Sequence, residues 1–226
     1  MSDYIFREAR VEDIPFLVDV IIEAEKSGTD NIGLAKTFDI DESELRKYLT
    51  QILEEEIDGC EFSVSSFFVA EYEGLPVAAL GGWIEGNNED NLPSAILKAN
   101  LLGYVVPREK FSHLYKSQDI IKDIQYEREM HTHQLEYSYV KPEHQGKFLV
   151  YALLEGVLEK AKLQDGTVKK SYVQIFENNI TALTVYRMLG YDKIVKRLES
   201  KHPEVLNYFP YHVKLVLEKE MYDETI

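Results

Sequence analysis

Hydrophobic and polar positions along this chain switch between two periods. Apolar residues two apart mark strands, and apolar residues three and four apart mark helices. "YIFREA" at residues 4–9 reads as a first strand. "VEDIPFLVDVIIEAEKSG" then places Ile14, Leu17, Val18, Ile21 and Ile22 on one helical stripe, with Glu12 and Asp13 near its start and Gly28 as its stop. "IDESELRKYLTQILEEEIDG" predicts a second helix, capped by Asp41 or Ser43 and striped by Leu45, Tyr48, Leu49 and Leu53. "SFFVAEYEGLPVAALGGWIEG" predicts a hairpin that turns at Glu73 and Gly74. Residues 85–132 are less regular, with a loop at "NNEDN" and helical patterns in "LPSAILKANLLGYV" and "REKFSHLYKSQDIIKDIQYERE". The remainder reads as strand "HQLEYSYV", helix from residue 149, strand "KSYVQIFE", helix "NNITALTVYRMLG", strand "YDKIVKRL" and closing strand "YHVKLVLEKEM". Strands interleaved with helices predict a layered α/β (α+β) domain.

Composition narrows the partners. The net charge is −15, from 25 basic and 40 acidic residues. A surface so negative disfavours nucleic acid and anionic membrane, and suits a cationic partner such as an amine, or simply solvation. No apolar run reaches the roughly 18 residues of a membrane span, and the charged start "MSDYIFREARVED" has no signal-peptide pattern. Cys60 is the single cysteine, which excludes an internal disulfide and fits a reducing, cytoplasmic setting. His131 and His133 have metal-like spacing but no partner ligands in pattern, so no metal site is expected.

Candidate chemistry concentrates at "YVKPEHQGKFLVYALLEG". A strand meets a proline, a polar turn with one glycine, and a helix striped by Leu149, Ala152, Leu153, Gly156, Val157 and Ala161. The first N–H groups of a helix lack internal partners and attract anions. Gly146 allows close backbone approach and Lys147 adds a cation, so this turn reads either as punctuation or as a phosphate cradle. In the strand before it, simple alternation puts Leu135, Tyr137 and Tyr139 on one face and Gln134, Glu136 and Ser138 on the other. A polar face on such a strand is expected to border a cleft.

These residues resemble the GNAT superfamily of N-acetyltransferases. The family's loop follows a strand ending Val-x-Pro and reads Gln or Arg, two residues, Gly, one residue, Gly or Ala. Val140, Pro142, Gln145, Gly146 and Lys147 match in register; Phe148 and Val150 stand where the family has Gly and Gly or Ala. Downstream, Asn179, Ala182, Tyr186, Gly190 and Tyr191 repeat a second family pattern, and "FREARVEDIPFLV" is similar to its opening strand and helix. The resemblance covers most of one domain, residues 1–226, with residues 85–132 as an insert.

That resemblance implies a mixed, mostly antiparallel sheet splayed at its middle strands, with helices on both faces. It implies acetyl-CoA as co-substrate and direct attack by a primary amine of a small-molecule or peptide acceptor. By resemblance, Tyr139 and Val140 lie beside the thioester, Gln145, Gly146, Lys147, Phe148, Leu149 and Val150 hold the pyrophosphate, and Asn179 touches the pantetheine arm or caps its helix. Tyr186 would protonate the leaving thiolate, and Glu136 is the candidate base, with Gln134 and Ser138 orienting the amine. The acceptor is expected between residues 25–40, whose Gly, Asp and Asn content suits a mobile lid, and residues 199–212, where Tyr208, Phe209 and Tyr211 would form an apolar wall. Dimers are common in the family, so a homodimer is among the expected assemblies. Two other readings remain open at this point: a noncatalytic acyl-CoA-binding or regulatory domain on the same fold, and a protein-interaction domain that docks through residues 85–132.

Overall fold

The computed structural model describes residues 3–221. Seven strands form one sheet: β1 (Tyr4–Glu8), β2 (Phe67–Tyr72), β3 (Leu75–Ile84), β4 (His133–Val140), β5 (Lys170–Phe176), β6 (Lys193–Glu199) and β7 (Val213–Glu220). Their spatial order is β1-β2-β3-β4-β5-β7-β6. Every neighbouring pair is antiparallel except β4 and β5.

Helices cover both faces. α1 (Ile14–Lys26), α2 (Gly33–Phe38), α3 (Glu42–Glu54) and α4 (Ser94–Val105) share one apolar core with Val69, Ala79 and Tyr137 of the sheet. α6 (Leu149–Gln164) and α7 (Ile180–Met188) share the other with Ala78, Leu135 and Val173. Residues 85–132 carry α4 and α5 (Phe111–Ile124), and a short α8 (Val205–Tyr208) precedes β7. β7 lies between β5 and β6; Val213, Leu215 and Leu217 face the α6 core, and Val216, on the face of Lys214 and Glu218, is fully buried in a small cluster with Ile124, Tyr172 and Leu198.

Local signals set most boundaries. Asp41 accepts the Glu44 N–H at 2.8 Å, and Glu44 returns a bond to Asp41 N–H, a capping box that starts α3. Asp13 does not cap α1 with its side chain; it binds Arg7 and the Arg10 N–H instead. The expected mobile lid at residues 25–40 contains α2, whose Ala35 and Phe38 are buried in the core. Small polar residues there make tight turns around a packed helix rather than a free loop.

The site is created by β4. Its parallel pairing with β5 lasts only from His133↔Ser171 to Leu135↔Val173. Against β3 the register slips by one, with Gly81 opposite Glu136 and Leu80 opposite Ser138. Tyr137 is the extra residue, a bulge at φ 57°. The bulge corrects the simple two-face reading of this strand. Leu135 faces the α6 core, whereas Tyr137 and Tyr139 face the α1 core. Beyond the bulge, β4 leaves β5 and a gap opens between them.

Candidate active site

A cleft of about 200 Å³ occupies that gap. Glu136, Tyr137 and Ser138 of β4 form one wall and residues 173–176 of β5 the other. The end of α1 contributes Glu23 and Glu25, α7 contributes Tyr186, and Lys214 of β7 and Phe209 close the far side. A pocket beyond the carboxyl ends of two diverging parallel strands is where sheets of this kind hold ligands.

The backbone of β4 is open to the cleft. Lys141 N–H donates to Val77 at 2.9 Å, so alternation aims the N–H groups of Ser138 and Val140 away from β3 and into the gap. Tyr139 has the opposite phase, and its ring packs beside Phe16 at 6.4 Å between centroids. Gln145 Nε2 donates to the Val140 carbonyl at 3.2 Å and ties the following turn to the strand end.

That turn delivers the start of α6. Residues Pro142–His144 form one 3-10 turn, and Tyr4 and Tyr72 hold it through His144. Gly146 has φ 74°, and a side chain there would meet open space, so its backbone is accessible to a ligand. Lys147 is exposed above the Tyr4 ring. No side chain caps α6, leaving its first N–H groups available to an anion. Phe148 takes the N-cap position in the left-handed region and is 68% exposed. Leu149 is buried and Val150 packs on the same core, so only their backbone can meet a ligand. An uncapped helix end with an accessible glycine and a cation fits a pyrophosphate.

Tyr186 lies within the cleft, its hydroxyl beside Ser138 and its ring edge-on to Tyr191 at 5.7 Å. Burial pushes the phenol up to about 12, partly offset by Ser138, so it keeps its proton at neutral pH. Asn179 accepts the Ala182 N–H at 3.1 Å and caps α7, while its amide donates to Ser27. It also lines the cleft, so capping and ligand contact are compatible.

The Glu136 side of the cleft is backed by a cluster of charges. Glu136 binds Arg128, which also reaches Glu61 at 3.3 Å and Ser94 at 2.9 Å and stacks over Trp83. Glu61 also binds Lys98 at 3.0 Å. Burial works against ionisation of Glu61, but Arg128 and Lys98 outweigh it and hold the carboxyl low. Burial pushes the Lys214 ammonium down, opposed by Glu136 and Glu25. Sequence reasoning missed Glu25, Lys214 and Arg128, because their neighbours come from distant segments and no local spacing marks them.

The other sequence candidates disperse. Gln134 is buried and bonded to Thr132 at 2.7 Å, below the gap. His131 is exposed while His133 is fully buried against Ser171. Among the described residues, no three His, Cys, Asp or Glu side chains gather as a metal would need. Cys60 is buried, and burial raises its thiol to about 11. Among the described residues, no helix is long and apolar enough to cross a membrane.

Comparison with known proteins agrees with this geometry. The model of the acetyltransferase (GNAT) family matches residues 34–191. An N-acetyltransferase from Staphylococcus aureus Mu50 superposes with TM-score 0.62 at 15% identity, covering 95% of this chain and 99% of its own. A putative acetyltransferase from Salmonella typhimurium, solved with acetyl-CoA, superposes with TM-score 0.53 at 12% identity over 99% and 96%. A mutant agmatine N-acetyltransferase in its apo form superposes with TM-score 0.58 at 14% identity over 96% and 99%. No curated protein matches the chain in sequence.

Proposed function

The chain belongs to the GNAT family of acetyltransferases, and on that premise we propose that it transfers an acetyl group to the primary amine of a small-molecule or peptide acceptor. The observation that carries this reading is the β4–β5 gap, an acidic cleft walled by the same strand, β4, whose end leads through one turn to the uncapped start of α6. Acetyl-CoA, the co-substrate of the family, supplies the activated acetyl group. Backbone N–H groups at residues 146–150, with Lys147, would bind its pyrophosphate, Gln145 would border it, and the Val140 N–H faces the place where a thioester oxygen would gain charge. Asn179 would border the pantetheine arm.

Tyr186 is suited to give its proton to the departing thiolate. Glu136 and Glu25 present carboxylates to an incoming ammonium, and Phe209 offers its carbon skeleton an apolar wall. Direct attack by the amine needs no protein nucleophile, and buried Cys60 lies outside the cleft lining. An amine is favoured because Glu23, Glu25 and Glu136 all line the cleft. The agmatine acetyltransferase among the structural neighbours makes a cationic amine a reasonable first probe.

The test is thermal stability with and without acetyl-CoA, followed by CoA release on addition of putrescine, agmatine, tyramine and a lysine-containing peptide. Ligand at 100 times its Kd should stabilise the fold by about 2.7 kcal/mol. A clear upward shift plus amine-dependent CoA release is expected. An unchanged melting temperature at millimolar acetyl-CoA would overturn the reading.

A further inference from the structure

Three glutamates line the cleft; Glu23 is paired with Lys26 at 2.7 Å, and Glu136 and Glu25 are held in different ways. Glu136 is bonded to the Arg128 guanidinium, itself buried among Glu61, Ser94 and Trp83. That pairing fixes the Glu136 carboxylate in place, as an orienting contact. Glu25, in the last turn of α1, is bonded only to neutral donors. Its Oε2 accepts the Leu34 N–H from the first turn of α2 at 3.1 Å, and its Oε1 accepts the Tyr137 hydroxyl at 3.2 Å.

Tyr137 reaches Glu25 because of the bulge. Simple alternation would turn it toward the α6 core with Leu135, but at φ 57° it faces α1 and stacks on Phe62, the rings 3° from parallel. A left-handed tyrosine in a strand is strained backbone, and here it holds one carboxylate at the cleft. We propose that Glu25, fixed by Tyr137 and the start of α2, is the base that takes the proton from the acceptor ammonium. This assignment rests on the acetyl-transfer reading above.

The step is a simple transfer. One N–H bond of the ammonium breaks, its proton binds a Glu25 carboxylate oxygen, and the freed nitrogen lone pair becomes the nucleophile. The proton then passes to solvent. The electrostatic surroundings are suited to this exchange. Burial raises the Glu25 carboxyl, and Glu136 on β4 raises it further. Lys98 on α4, Lys214 on β7 and the Leu34 N–H on α2 limit the rise. A base poised above an ordinary carboxylate holds a proton more readily.

The experiment compares Glu25→Gln, Glu136→Gln and Tyr137→Phe with the parent chain, using whichever of the four amine probes is turned over, across pH. Acetyl-CoA-induced thermal shift is measured in parallel. Losing a general base lowers kcat by roughly 10²–10⁴-fold. Glu25→Gln should lose that much at neutral pH, keep the acetyl-CoA shift, and recover steadily toward alkaline pH as the free amine itself accumulates. The parent's acid limb, set by the carboxyl, should be replaced by this rise with the free-amine fraction. Tyr137→Phe should keep most of kcat but move the acid limb, while Glu136→Gln should act mainly on KM. If Glu25→Gln retains the parent acid limb, or if the loss and alkaline recovery belong to Glu136→Gln instead, the assignment is overturned. Should the parent chain neither bind acetyl-CoA nor acetylate any probe, the acetyl-transfer reading fails first and this assignment falls with it. A parent chain that binds acetyl-CoA but acetylates none of these primary amines would refute an ammonium acceptor at Glu25 while leaving the co-substrate site standing.

Discussion

Phe148 holds φ 58° and ψ 25° at the head of α6, a conformation that crowds Cβ against the backbone. Such a residue costs about 1–2 kcal/mol. With 68% of Phe148 exposed, burial of the ring offsets little of that. Phe148→Gly should therefore relieve strain, while the looser unfolded chain takes back about 0.5–1 kcal/mol. The expected outcome is unchanged or slightly higher stability in urea and tighter acetyl-CoA binding by calorimetry. Weaker binding would show that the ring contributes to the ligand's site. Motif register located Phe148 where relatives have glycine; it did not reveal that the residue adopts the glycine conformation. The turn just before it is held by Tyr4 and Tyr72 through His144, residues far away in sequence. Tyr186 was legible for a different reason: its helix is local, and its spacing from Asn179 is the same in sequence as in space.

At the scale of elements, α6 lies close on the sheet because of Gly156. A methyl group there would run into the Phe68 ring of β2. Gly156→Ala should force the ring or the helix to shift, at about 1–3 kcal/mol by urea denaturation. If stability is unchanged, the helix has room that the present packing lacks. Strands, long helices and their order follow from periodicity, because each buries one face or stripe whatever its partner. Three features escape that logic. α2 has only six residues and no side-chain cap, so its pattern is too short to register. The bulge at Tyr137 reverses which residues face α1, and alternation alone assigns them to the wrong side. The three-way bonding of Arg128 needs segments at residues 61, 94 and 136 to meet, so the link from the 85–132 segment to the cleft residue Glu136 is visible only in three dimensions.

For the whole molecule, stability should depend on pH through a buried histidine. Burial holds His133 at about 3, against 6.5 when free, while its Nδ1 pairs with Ser171 at 2.8 Å. The folded-state value is depressed, so below pH 6.5 the unfolded chain binds a proton that the folded one refuses. Stability is full above that point and falls as pH drops toward 3, by on the order of 1.4 kcal/mol per pH unit. His133→Asn, which can still bond Ser171, should flatten this acid slope in urea titrations; an unaltered slope would assign it to the carboxylates. The sequence by itself determined the layered architecture, the glycine turn ahead of α6 and the helix that carries Tyr186, since these depend on neighbours a few residues apart. Tertiary structure alone decided where β4 parts from β5, which carboxylates meet at the cleft and how each is held. Those outcomes depend on one bulged residue and on charges brought together across the chain, where burial, and not spacing, sets the energy.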